Sequence, residues 1–87
     1  MKVYVFFIEQ VYETDLIRQD ISVYASLSKA KEVFNKFVED EKEFVEENDW
    51  VESEDNNSMN YEAYKDGYYC TNRTIAYIDE QYIIEDE

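Results

Sequence analysis

The chain has 87 residues and a formal net charge of −14, which arises from 22 acidic and 8 basic side chains. This length allows one domain, residues 1–87, with a single core. The bases are scattered and cannot offset the acids, so the composition argues against direct binding to nucleic acid or to an anionic membrane. Five Phe, nine Tyr and one Trp indicate a folded protein, because disordered acidic chains are poor in aromatic residues.

Several kinds of catalytic and cofactor chemistry are missing from the sequence. There is no histidine and only one glycine, so catalytic triads, imidazole bases, His-containing metal sites and glycine-rich phosphate loops are excluded. The single cysteine, Cys70, rules out an intramolecular disulfide and a cysteine-based zinc site. Its aromatic neighbours favour a buried, inert thiol. We therefore expect a protein that is not an enzyme and that has no cofactor.

One stretch carries side chains of the types that bind Ca²⁺ or Mg²⁺. They do not follow the order of an EF-hand, and the glycine that makes the sharp turn of that loop is missing. A solvated acidic loop is the favoured interpretation, and we expect no metal site. The residues are Glu52, Glu54, Asp55, Asn56 and Asn57.

The N-terminal apolar run, Val3 to Ile8, is broken by Glu9. It is too short for a signal peptide or a transmembrane helix. The simplest expectation is a cytoplasmic protein.

Two strands are predicted at the start of the chain. Residues 2–12 are apolar on both alternating sets, which is typical of a central strand covered on both sides. Residues 13–15 form a predicted turn. Residues 16–25 then alternate and indicate a half-buried strand that is hairpinned to the first. Its apolar side consists of Ile17, Ile21, Val23 and Ala25.

A long helix follows Ser26, a residue type suited to capping a helix N-terminus. The hydrophobic spacing changes there to i, i+3, i+4, i+7 and predicts an amphipathic helix from about residue 27 to 48. We expect its aromatic residues to face a sheet. The apolar positions are Leu27, Ala30, Val33, Phe34, Phe37, Val38, Phe44 and Val45.

The remaining residues predict two or three further strands. A short strand is expected around Trp50 and Val51, and a loop at residues 55–58. The pair Asp66-Gly67 lies between two β-prone runs and predicts a hairpin turn, because both residue types tolerate positive φ. Residues 74–84 predict a final strand, interrupted near Asp79-Glu80.

These elements together predict an α+β fold in ββαββ(β) order. Four or five strands form one antiparallel sheet, and the long amphipathic helix packs on one face of it. No repeat, linker or second domain is indicated.

The most unusual stretch is an acidic block between residues 39 and 55. It contains ten carboxylates and one base, Lys42, and such a density resists folding through self-repulsion. The acids crowd the C-terminal half of the predicted helix, while lysines lie toward its N-terminal half. Both arrangements are unfavourable to the helix dipole, and each exposed charge destabilises the helix by roughly 0.3–1 kcal/mol. Departures from local consistency tend to fall at functional sites.

Two interpretations of the acidic block remain open. It is either a solubilising face on a small aromatic core or an anionic docking surface for a basic partner. A helix rises about 1.5 Å per residue, and duplex DNA carries one negative charge per about 1.7 Å of axis. A folded acidic surface can therefore approach the charge density of DNA.

Tyrosines flank the second predicted hairpin, and Tyr61 and Tyr64 are the expected exposed pair. Tyrosine is enriched at binding hot spots and packs against arginine, although it also forms strands well. The predicted partner-binding residues are Glu39, Asp40, Glu43, Glu46, Glu47, Asp49, Glu52, Glu54, Asp55, Tyr61 and Tyr64.

The opening MKVYV and the later SLSKAKEVFNKF, with Ser26, Lys29, Ala30 and Phe34, resemble a loose class of small bacterial and phage proteins of unassigned role. Those proteins place a Ser-capped helix after a β-hairpin. The resemblance covers about residues 2–38 and 75–84, and residues 49–73 have no counterpart in it. It implies the same ββα arrangement.

In surface character the chain is also similar to the acidic inhibitors that phages and mobile elements use against restriction, CRISPR or other DNA-binding proteins. Many of those imitate DNA. This similarity implies a non-catalytic protein that occupies the basic site of a DNA- or RNA-handling partner. The alternative is a small interaction or oligomer-forming module whose acidity serves solubility.

Overall fold

The computed structural model describes residues 1–12, 15–66 and 71–84, without the side chain of Leu16. Five antiparallel strands form one sheet in the order β2-β1-β5-β4-β3, and one helix packs on a single face of it. The predicted α+β class is confirmed. The elements are β1 Lys2–Tyr12, β2 Asp15–Tyr24, α1 Leu27–Glu47, β3 Val51–Glu52, β4 Asn60–Asp66 and β5 Thr71–Tyr82.

The strand register divides the side chains of the sheet between two faces, since paired residues of an antiparallel ladder lie on the same side. Phe6 pairs with Ile78, and Ile8 pairs with Ala76. All four side chains are buried and belong to the core under α1. The alternate residues lie on the opposite side, which we call the open face. Its apolar members are Val3, Val5, Phe7, Val11, Ile21, Val23, Val51, Tyr64, Ile75 and Tyr77.

The core is a seam between α1 and the three central strands. Phe34 is 2% exposed and meets the edge of the Phe6 ring, with 6.1 Å between the ring centroids. Phe37 approaches the same Phe6 ring at 6.1 Å from a second direction. Small residues let the helix backbone approach the sheet closely, and all are completely buried: Ala30, Ala63 and Ala76.

Side chains and backbone groups fix both ends of α1. At its start, the Ser26 hydroxyl accepts a hydrogen bond from the Lys29 backbone N–H, so the predicted cap is confirmed. At its end, the Trp50 N–H donates to the Val45 carbonyl and the chain reverses through Asp49. That residue has a φ of 58°, in the left-handed region where glycine usually closes this type of cap.

The reversal at Asp49 brings three aromatic rings together at the C-terminal end of the helix. Trp50 lies 5.3 Å from Phe44 and 5.6 Å from Tyr12, both in edge-to-face geometry. Aromatic pairs of this kind add about 0.5–1.5 kcal/mol beyond their buried area. The cluster therefore ties the C-terminal end of α1 to the end of β1.

The sequence predicted wrongly which sides of the first two strands are covered. β1 is apolar on both sides as predicted, but α1 covers only one of them. In β2 the polar side faces the helix, because Ser22 pairs with Phe6 and Asp20 pairs with Ile8. Its apolar residues Ile21 and Val23 are 64% and 59% exposed. The prediction of a half-buried β2 is thus wrong about its apolar side.

The hairpin predicted at Asp66-Gly67 joins β4 to β5, since Asp66 pairs with Thr71. Asp66 itself ends β4, and residues 67–70 lie outside the described residues. Two further predictions about the strands need correction. Asp15, predicted in a turn, begins β2 and pairs with Tyr12. β5 continues without interruption through Asp79-Glu80, since both residues pair with β1. The predicted turn residues 13 and 14 and the predicted buried thiol of Cys70 lie outside the described residues.

The left-handed conformation of Asp49 generates a stability prediction. We expect Asp49→Gly to raise the free energy of unfolding by about 1 kcal/mol, because it removes backbone strain and an acid at the negative end of the helix dipole. For a domain of this size that is about 4–8 °C in Tm, measured by thermal circular dichroism.

Asp49→Asn is the matched control, because it removes the charge and keeps a side chain. We expect its Tm to lie between those of the original protein and Asp49→Gly. A glycine variant no more stable than the asparagine variant would contradict the strain argument.

Candidate functional site

Every carboxylate of the predicted binding set is exposed to solvent. They lie on the C-terminal half of α1, on the reversal after it, on β3 and on the following loop. We call this set the acidic surface: Glu39, Asp40, Glu43, Glu46, Glu47, Asp49, Glu52, Glu54 and Asp55.

The helical part of the acidic surface forms a continuous stripe. Glu39, Glu43 and Glu47 are spaced by four residues, which places them one above another on α1. Residues 39–47 hold five carboxylates of the acidic surface and one lysine within about 12 Å of helix axis. Like charges at this spacing destabilise a helix by roughly 0.2–0.5 kcal/mol per pair. The stripe therefore costs stability.

One acid of α1 and one acid of β3 lie near the same buried tyrosine. Tyr61 lies in β4 and is 2% exposed. Burial raises the pKa of its hydroxyl, and the negative charges of Glu52 on β3 and Glu41 on α1 raise it further. Two segments that are separate in the sequence thus bring negative charge to one side of the molecule.

The loop that carries Glu54 and Asp55 is held to the edge of the sheet. The side-chain amide of Asn56 makes two hydrogen bonds to the backbone of Glu62, as a paired strand residue would. It donates to the Glu62 carbonyl and accepts from the Glu62 N–H. The Ser53 N–H also donates to the Glu62 carbonyl, at 2.9 Å. The loop acids therefore occupy defined positions beside β4.

Within the described part of the chain, the acidic surface has no cationic partner. The ion pairs there join Lys2 to Glu80, Arg18 to Asp20 and Lys29 to Glu32. The last turn of α1 contains no basic residue. The C-terminal end of the helix instead receives a cation from the sheet, since Lys65 Nζ donates to the Asn48 carbonyl at 2.8 Å.

One carboxylate of the block, Glu41, is turned toward the sheet rather than toward solvent. Gln10 donates a 2.9 Å hydrogen bond to Glu41 Oε1 and a 3.3 Å bond to Thr74. Glu41 Oε2 is buried without a hydrogen-bond partner among the described residues. Burial raises the pKa of Glu41, the Gln10 bond and the charge of Arg18 act against that rise, and Asp40 adds slightly to it.

The two predicted tyrosines do not lie on the acidic surface. The expected exposure of Tyr61 is wrong, because this side chain packs under α1. Tyr64 is half-buried and pairs with Val51 and Arg73 on the open face. The alternation of β4 carried this information: Tyr61 and Ala63 alternate with polar residues, as expected of a strand with one buried side.

A cleft that the sequence did not predict lies between α1 and β2. Its volume is about 380 Å³, and Phe6, Ile8 and Phe37 line it together with Arg18 and Lys36. It exists because β2 presents polar residues to the helix, which does not pack closely on them. The Arg18 guanidinium lies 5.6 Å from the centre of the Phe37 ring.

Two features are absent from the described residues. No group of three or more acidic, cysteine or histidine side chains is arranged to hold a metal ion. No helix among them has the length and apolar character needed to span a bilayer.

The buried position of Glu41 predicts how stability changes with pH. An acid whose pKa is raised on folding binds its proton more tightly in the folded chain, so it favours folding at low pH and opposes it as pH rises through the glutamate range. We expect Glu41→Gln to stabilise the protein at pH 7 and to lose that advantage toward pH 4, in Tm measured across this range.

Glu43→Gln is the matched control, since it removes the same charge from the exposed side of the same helix. Its gain at pH 7 should be smaller than that of Glu41→Gln. Equal gains for the two variants at pH 7 would contradict the role of burial.

The comparisons with known proteins do not place this chain in a family. No protein-family model, curated protein or solved structure matches it.

Proposed function

We propose that this protein is a non-catalytic, acidic binding protein that imitates nucleic acid and occupies the basic site of a DNA- or RNA-handling protein. The acidic surface is the binding site, and its partner is a protein rich in lysine and arginine. Such a partner gains affinity by releasing counterions from both surfaces, as it does on duplex DNA.

The observation that carries this proposal is a set of exposed, ordered acids maintained where they reduce stability. The acids crowd the negative end of the helix dipole, repel one another at i, i+4 spacing and form no ion pair among the described residues. Asp49 adds an acid at a position whose backbone conformation favours glycine. A surface selected only for solubility gains nothing from this placement, because the same charges could be dispersed.

The charge density of α1 supports the proposal. About 12 Å of its axis carries five carboxylates of the acidic surface, and the same length of duplex DNA carries about seven phosphates. The charged stripe on α1 and the tethered loop after β3 present negative charge from a rigid body, which lowers the entropic cost of binding.

The first experiment identifies the partner. The tagged protein is incubated with a bacterial lysate at low salt, washed, and eluted with duplex DNA, and released proteins are identified by mass spectrometry. We expect one nuclease, polymerase, repressor or similar protein in the DNA eluate. Recovery of nothing, or only of proteins that DNA does not release, would contradict mimicry.

The second experiment tests the surface itself. Replacing four of its acids by glutamine should abolish binding to the recovered partner. It should also raise the free energy of unfolding by roughly 1–2 kcal/mol, because it removes negative charge from the negative end of the helix dipole. Binding by the original protein should weaken steeply with salt. The substitutions are Glu43→Gln, Glu46→Gln, Glu47→Gln and Glu54→Gln.

A second quadruple variant controls for net charge. It removes four exposed acids that lie outside the acidic surface, so its overall charge is the same. We expect it to bind the partner as the original protein does, and loss of binding by both variants would leave only a general charge effect. The control substitutions are Glu32→Gln, Asp66→Asn, Asp79→Asn and Glu80→Gln.

A further inference from the structure

We propose that the open face of the sheet binds a second copy of this chain, so that two sheets pack face to face and the acidic surfaces lie on the outside. The inference concerns the side of the molecule opposite the proposed binding site and does not depend on it.

The centre of the open face is a contiguous apolar row. Ile21 pairs with Phe7, and Phe7 pairs with Tyr77, so three strands contribute to one line of side chains. The Phe7 and Tyr77 rings lie 5.0 Å apart. Val23 and Val5 form the next pair along the strands. Large exposed apolar patches of this kind mark interaction surfaces.

The sequence of β1 indicates that this face is covered in the functional protein. Its side chains are apolar on both sides, a pattern found in strands that are buried on both faces. α1 buries Phe6 and Ile8 on one side, whereas Val5 and Phe7 on the other are only half-buried. Among the described residues, no second helix is available as a cover.

Charge opposes a second copy at this position, but most of the negative charge lies far from the contact. The charged residues of the open face near the apolar row are Glu9, Glu62 and Asp79, with Arg73 as a partial counterweight. The largest group of acids lies instead on the acidic surface, on the other side of the molecule. Face-to-face sheets separate the two acidic helices by about 30 Å, since stacked layers lie roughly 10 Å apart. That is several Debye lengths at physiological salt, about 8 Å each, so repulsion between the two chains is largely screened.

The available area also suits a dimer. Four strands spaced about 4.8 Å apart and roughly ten residues long cover about 600 Å² in plan. Side-chain relief raises the accessible area toward the roughly 800 Å² per partner of a standard interface. A twofold axis through the row would place Phe7 of each copy near the centre, because such an interface uses the same patch on both chains.

The test is the molar mass in solution, measured by sedimentation equilibrium from 10 to 200 µM protein at 0.15 M and 1 M NaCl. We expect twice the chain mass of 10.5 kDa, with tighter association at 1 M NaCl because screening removes the residual repulsion. A single-chain mass under all of these conditions would overturn the proposal.

Substitutions locate the interface. The double variant Ile21→Thr, Val23→Thr keeps β-branched residues at exposed strand positions and should be a folded monomer with at least tenfold weaker association. Tyr82→Ser is the matched control, because Tyr82 is also exposed but pairs with Lys2 on the helix side of the sheet. It should dimerise normally. A dimer that persists in the double variant would place the interface elsewhere and overturn the proposal.

The two proposals fail separately. Salt should weaken partner binding and strengthen dimerisation, and the quadruple glutamine variant should lose the partner while it remains a dimer. If the protein is a monomer that still binds its partner through the acidic surface, the dimer proposal is overturned and the mimicry proposal stands.

Discussion

The structure depends on the contact between α1 and the centre of the sheet, since α1 carries a dense row of like charges and has little stability of its own. Helices of this length owe most of their stability to tertiary packing of an apolar face. Here Phe34 and Phe37 pack on Phe6, and alanines on both sides shorten the distance between helix and strands. The favourable burial on one side of α1 must exceed the repulsion on the other.

Because the helix depends on this packing, some polar groups at its contact with the sheet are hydrogen-bonded to residues of the strands. Glu41 is the one member of the acidic block that turns inward, where it accepts a hydrogen bond from Gln10, which also donates to Thr74. The helix end is neutralised from outside by Lys65 of β4 rather than by a residue of its own. Lys65 is thus placed at the backbone of the helix end, and the side chains of the acidic surface form no ion pair among the described residues.

The sequence predicted the local elements well and the sides of the sheet less well. The spacing of Leu27 to Val45 and the cap at Ser26 determine α1 because these signals are local. Alternation in β2 shows that Ile21 and Val23 share a side, but it does not state which side meets the helix. That depends on the register with β1, a long-range pairing that no local pattern encodes. The exposure of the nine acids could be predicted because charged side chains favour water. The burial of Tyr61 was missed because the prediction relied on the frequency of tyrosine at binding sites and not on the alternation of β4.

The cleft between α1 and β2 has a consequence for local opening. α1 is held to the sheet on both sides of the cleft, by Ala30 and Phe34 toward its start and by the cap at Asp49 and its neighbouring aromatic rings at its end. β2 lies at the edge of the sheet and has no buried residue among those described. Segments with fewer buried contacts open at lower free energy, so amide protons of β2 exchange with solvent before those of α1. The acidic half of α1 therefore keeps its charges in place while the edge strand beside the cleft opens and closes.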